Sequence, residues 1–213
     1  MLDSFLRPTQ IKTNQDGGLL RLIACVCMFI DHAGKMLFPQ LTWMRMVGRL
    51  AFPLFAYGIA VGAAMTRHPR QYIARVAALA LVSQPLYAVA LGHTNEAMYA
   101  VPFAQHPLRA LCTFYMESWE KPSILLALLL GLLLLLCLRE KQYVPALLIY
   151  VLCARFSAEL DYGVSGIGLM VVFYLFLEHP ALCFAASAAY MLVWSADGHG
   201  YPIFGMEFGM RIF

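Results

Sequence analysis

The chain has 213 residues, of which 62% are hydrophobic and 13% charged, and a mean hydropathy of +0.70, which is more apolar surface than a water-soluble domain of this size can bury. Its formal charge of +3 is small, and no basic run is interleaved with aromatics, so a nucleic-acid surface is excluded. What remains is an all-α, polytopic transmembrane bundle, read as a single integral membrane domain over residues 1–213.

The first eighteen residues carry Asp3, Arg7, Lys12 and Asp16 among Gln, Thr and Gly, too polar for the apolar core of a cleavable signal peptide. The first span is therefore expected to be its own anchor. A bilayer crossing takes about 20 apolar residues. Windows near that length predict seven helices, over residues 19–38, 43–65, 72–91, 123–138, 143–156, 162–177 and 181–194. The fourth and fifth are short and are joined by the charged turn Arg139-Glu140-Lys141; the leucine-rich fourth reads as a lipid-facing helix. Residues 92–121 form the longest connection, and with Pro102, Pro107, Arg109 and aromatic anchors they are expected to hold a re-entrant or interfacial helix. The Gly-rich tail, 196–213, is not expected to span.

Cys25, Cys27, Cys112, Cys137, Cys153 and Cys183 mostly lie in apolar runs and read as packing residues rather than disulfides or metal ligands. His93, His106, His179 and His199 fall in loops or at helix ends with no zinc-like spacing, so no metal is expected. Lys and Arg outside the apolar segments put a slight excess on the side of the amino terminus, which is expected to be cytoplasmic.

Ionisable residues inside the first two spans stand out. The two form a hairpin with its apex near Pro39-Gln40, where proline breaks the helix. Counting nine residues each way from Gln40 reaches Asp31 and Arg49, which predicts that they face each other about 13 Å below the apex if both arms are helical. Arg45 shares a face with Arg49, and Lys35 with Asp31, so opposite charges meet across the hairpin. Intramembrane charges cost a few kcal/mol and usually pair or line a cavity. Asp31 and Arg49 can simply pin two helices. His32, beside a carboxylate and near two arginines, has the parts of a general base. Pro53 should kink the second span just past Arg49.

Two further groups complete the candidates. Arg67, His68, Arg70 and Arg75, at the cytoplasmic end of the second and third spans, fit either positive-inside topology or a cradle for phosphates of a cytoplasmic cofactor such as coenzyme A. Around the sixth span, Asp161 reads as a helix cap or, with Tyr162 and Ser165, as a second wall of the same cavity.

The run from Ile23-Ala24 through Asp31-His32-Ala33-Gly34, then Trp43 and Gly48-Arg49-Leu50-Ala51-Phe52-Pro53, together with Tyr162-Gly163-Val164-Ser165-Gly166, resembles the TraX family of conjugal-transfer pilin acetylation proteins. More distantly, Arg21 and His32 in the first span, with Tyr72-x-x-Arg75 and Pro85-Leu86-Tyr87, are similar to membrane acyltransferases of the acyltransferase-3 kind. The resemblance implies a membrane acetyltransferase of the bacterial inner membrane that takes acetyl-CoA as donor and the amino terminus of a pilin as acceptor. It makes His32 the candidate base, Asp31 and Arg49 its supports, Arg45 or Arg49 the oxyanion partner, and Arg21, Arg67, Arg70 and Arg75 coenzyme A contacts. Acyl transfer to a sugar or lipid, a proton-coupled transporter and a structural component of pilus assembly are the other readings.

Overall fold

The computed structural model describes residues 17–157, 160, 162–196, 201–203 and 206–208. Among these the helices are α1 (Gly17–Met36), α2 (Thr42–Gly48), α3 (Ala51–Met65), α4 (Pro69–Ala90), α5 (Pro107–Glu117), α6 (Ile124–Arg139), α7 (Tyr143–Arg155), α8 (Gly163–Leu175) and α9 (Pro180–Ala196). Short 3-10 turns lie at Glu96–Tyr99 and Ser118–Glu120. In the tail, Tyr201–Ile203 pairs antiparallel with Met206–Phe208.

All seven expected helices form, and α5 appears where an interfacial or re-entrant helix was expected. Seven full crossings do not follow from this. Among the described residues three helical stretches, Gly17–Met36, Thr42–Met65 and Pro69–Ala90, are long and apolar enough to span; a fourth arises if Pro107–Glu120 and Ile124–Arg139, bent by 68°, count as one broken span. At 13 residues each, α7 and α8 reach only about 20 Å, against a hydrocarbon core of about 30 Å.

Prolines decide where helices break or need help. Pro53 cannot donate to the Arg49 carbonyl and its ring crowds that position, so the second span is interrupted at Arg49 and Leu50, between α2 and α3. Pro85 sits inside α4 and leaves the Leu81 carbonyl without its intrahelical donor. The Tyr115 hydroxyl donates to that carbonyl at 3.1 Å and so fastens α5 to α4.

The core is built from α3, α6 and α8. Phe52, Ala56 and Ala60 of α3 meet Leu132 and Leu135 of α6 and Ile167, Met170 and Tyr174 of α8, all nearly or fully buried. The leucine-rich α6 is thus a core helix, correcting the lipid-facing reading. Its apolar residues run round every face, a pattern that suits burial on several sides as well as it suits lipid. The end of the Met170 side chain fills the space over Gly131, and a side chain there would push it aside. Of the cysteines, Cys27, Cys153 and Cys183 are buried in the packing, whereas Cys25 and Cys112 lie on the outer surface.

Two polar ties hold the ends. Arg139 Nη1 donates to the carbonyls of Ala63 at 2.8 Å and Thr66 at 3.1 Å, satisfying the carboxyl end of α3 with a cation where the helix dipole favours one. Gln84, fully buried, donates to the Ser118 carbonyl and, at 3.1 Å, to that of Lys121, and accepts from Ser123 N–H at 2.9 Å. Gln84→Leu is expected to strand these backbone groups at about 1–3 kcal/mol for each one left unsatisfied. A lowered apparent melting temperature in detergent, with faster proteolysis between α5 and α6, checks it; an unchanged melting temperature refutes it.

Candidate functional site

The site grows from the α1–α2 hairpin. Helix α1 ends at Met36 and α2 starts at Thr42, so equal counting from the two helix ends sets Asp31 level with Val47 and Gly48 rather than with Arg49. Gly48 has no side chain, and a Cβ there would fall on the Cβ and Oδ1 of Asp31. The carboxylate therefore lies directly against the α2 backbone. Arg45, one turn nearer the apex, closes over it, with Nη1 donating to Oδ2 at 2.9 Å. The sequence count had paired Asp31 with Arg49; the ion pair formed is with Arg45. The count from Gln40 assumed a turn symmetric about that residue and took no account of where a bare glycine lets the helices touch.

Both partners are only about one-fifth exposed, 22% and 23% for the side chains, and Asp31 Oδ1 is buried without a hydrogen bond among the described residues. A carboxylate half out of water with one oxygen unsatisfied is a high-energy group, held by the ion pair on its other oxygen. Gly34 makes the reciprocal fit: a Cβ there would come within 2.8 Å of Met44 Cβ. The two arms interlock, α1 through Asp31 into α2 and α2 through Met44 into α1.

His32 is half-buried next to Asp31, and Arg49 is half-buried at the break between α2 and α3. Three residues beyond Arg49, Phe52 stacks on Tyr162 with centroids 4.0 Å apart and planes within 7°. Trp194 closes edge-on against both rings, at 6.4 and 6.0 Å. The start of α3, just past the hairpin, and the start of α8 are thereby joined through aromatic packing. Gly166 leaves the space, since a Cβ would meet Phe52 Cζ at 2.8 Å. Ser165 is drawn in through its carbonyl, which accepts from the Tyr190 hydroxyl at 3.0 Å.

Asp161, the expected cap or wall residue, lies outside the described residues. The cap position of α8 is Tyr162, in the left-handed region with φ of 61° and followed by Gly163 at 52°. The Ser157 hydroxyl accepts from Val164 N–H at 3.0 Å and so satisfies one of the free donors in the first turn of α8. A serine six residues ahead of the helix carries no local capping signature, so the sequence concealed it.

Arg21, Arg67, Arg70 and Arg75 are exposed and gather at the opposite end of the bundle, where α1 begins and α3 hands over to α4. Tyr72 is seated in the notch left by Gly62. Arg139 joins this end through its bonds to α3. Arg21 and His32 are eleven residues apart on one helix, which puts them about 20° from the same face and about 16 Å apart along the axis. Among the described residues, no group of three or more His, Cys, Asp or Glu is arranged to hold a metal ion.

Comparison with known proteins gives a match to the model of a family described as "TraX protein" over residues 16–197. The chain is similar to "Probable fimbrial assembly protein FimC, serogroup H1" of Dichelobacter nodosus, 26% identical over 75% of this chain and 60% of that protein. It is also similar to "Protein TraX" of Escherichia coli strain K12, 33% identical over 31% of this chain and 26% of the relative. A third similarity is to "Uncharacterized protein RP591" of Rickettsia prowazekii, 48% identical over 22% of this chain and 19% of that one. The chain thus spans less than two-thirds of the length of these curated relatives. No solved structure matches it.

Proposed function

The chain belongs to the TraX family, and from that premise we propose that it is a membrane-embedded N-acetyltransferase that moves the acetyl group of acetyl-CoA to the amino terminus of a pilin during conjugative pilus biogenesis, in the bacterial inner membrane with its own amino terminus in the cytoplasm. The observation that carries this reading is the alignment along α1 of a cationic end with an imidazole: Arg21 on the face of His32, about three helical turns or 16 Å away, with His32 next to the half-buried Asp31–Arg45 pair. A donor with phosphates at one end and a thioester at the other suits that separation of charge and base.

The phosphates bind among Arg21, Arg67, Arg70 and Arg75, whose guanidiniums suit phosphate oxygens. The thioester enters the bundle toward His32. The acceptor amine attacks the acetyl carbon while His32 Nδ1 or Nε2 takes its proton, and Arg45 or Arg49 stabilises the oxyanion that forms. Collapse breaks the C–S bond, and the thiolate leaves with the proton returned from His32. Asp31 holds Arg45 in position, and Tyr162 and Ser165 border the acceptor side.

The test is purified protein in nanodiscs with acetyl-CoA and a peptide bearing a free amino terminus, read by mass spectrometry and by thiol release. Stoichiometric acetyl-peptide and free thiol are expected. Failure to bind any acyl-CoA overturns the reading and favours transport; transfer to hydroxyl but not amine acceptors overturns the choice of acceptor alone.

A further inference from the structure

Helix α5 is amphipathic the wrong way round for a protein in water. Its bundle-facing side carries Ala110, 7% exposed, Phe114, which meets Tyr99 edge-on at 5.9 Å, and Glu117, whose carboxylate accepts from Asn95 Nδ2 at 3.2 Å. Its outward side carries Leu108, Leu111 and Met116, at 79%, 54% and 70% exposure, with Cys112 also exposed between them. At 100° per residue these four fall in one arc of about 140°, with Arg109 at its edge. A polar group turned inward and an apolar arc turned outward is the arrangement that hydrocarbon, not water, stabilises.

The surroundings fix the helix in that pose. The Tyr115 hydroxyl is bound to the Leu81 carbonyl of α4, and Gln84 holds the turn that follows α5 through Ser118. Leu81, Val82, Leu86 and Val89 of α4 are themselves 50%, 71%, 70% and 50% exposed on a helix long enough to cross the membrane, so they face lipid. The arc on α5 is thus tied, through Tyr115, to a helix whose own apolar residues are exposed. At 11 residues, or about 16 Å, α5 is too short to span, and it meets α6 through a bend of 68°.

We propose that α5 is an interfacial membrane helix. It lies with Leu108, Leu111 and Met116 in the acyl chains of the leaflet on the hairpin-apex side, Arg109 reaches the headgroup phosphates, and the phospholipid bilayer covers this face. This sets the depth of the connection 92–121.

Spin labels at Leu108→Cys and Leu111→Cys, in the full chain with Cys25 and Cys112 changed to Ser, test this in phospholipid nanodiscs. Oxygen collisions are expected to exceed those of a water-soluble nickel chelate at both sites, the reverse of the order at a control label on exposed Gln142. Nickel collisions dominating at 108 and 111 would show the face in water and overturn the proposal. A label immobile and reached by neither reagent would show protein covering it and would overturn it too. Because the positions are exposed, folding is not at stake; a monodisperse profile in detergent confirms it for each variant.

Discussion

His32→Ala is expected to abolish acetylation of the acceptor amine, with the transfer rate falling by about 10²–10⁴, the usual contribution of a positioned general base. The readout is mass spectrometry of the acceptor's amino terminus from cells carrying the variant or the parent, at matched protein levels. The size of the effect follows from what else is near the amine. Asp31 is committed to Arg45 through Oδ2 at 2.9 Å and lies against Gly48, so it is poorly placed to take over proton transfer. Among the residues of the hairpin that leaves His32. Acceptor acetylation unchanged in His32→Ala would remove His32 from the chemistry. Loss of acetylation with normal protein level and intact acetyl-CoA binding is the result the mechanism requires.

Gly48→Ala is the second substitution with a large expected effect, and it acts through space. A Cβ at 48 falls on the side chain of Asp31, so one arm of the hairpin must move. Overpacking of this kind costs about 1–3 kcal/mol. Here it also drives the carboxylate away from Arg45 and so exposes the cost of charges parted within a membrane. A lower apparent melting temperature and a lower transfer rate are expected together. Opening the facing position with Asp31→Gly should restore the stability lost to Gly48→Ala, measured as a double-mutant cycle, while leaving the rate low. Gly48→Ala with parental stability would show that the hairpin does not need this contact. The same logic distinguishes Gly48 from Gly58, where a Cβ meets nothing and Ala should be tolerated.

Much of this was legible one dimension at a time. Length and apolarity of the segments located the helices, because a bilayer demands them and hydropathy is additive along the chain. The break at Arg49 and Leu50 follows from Pro53, since the ring acts on the carbonyl four residues back. That opposite charges meet across the first hairpin, with His32 beside them, also came from spacing. Which charges pair did not: Arg45 rather than Arg49 holds Asp31, because the register depends on where a bare glycine lets backbones touch. The leucine-rich α6 reads as lipid-facing from composition, yet it lies in the core, because hydrocarbon and a protein interior select the same side chains. Ser157 as the cap of α8, Tyr115 on the carbonyl freed by Pro85, and Gln84 binding the turn before α6 are long-range bonds with no local signature. Sequence by itself determined that the chain is a helical membrane bundle and which titratable groups lie near the hairpin. The tertiary structure alone decided which helix is central, which charges form the pair, and which face of α5 is turned outward, since each depends on what meets what in three dimensions.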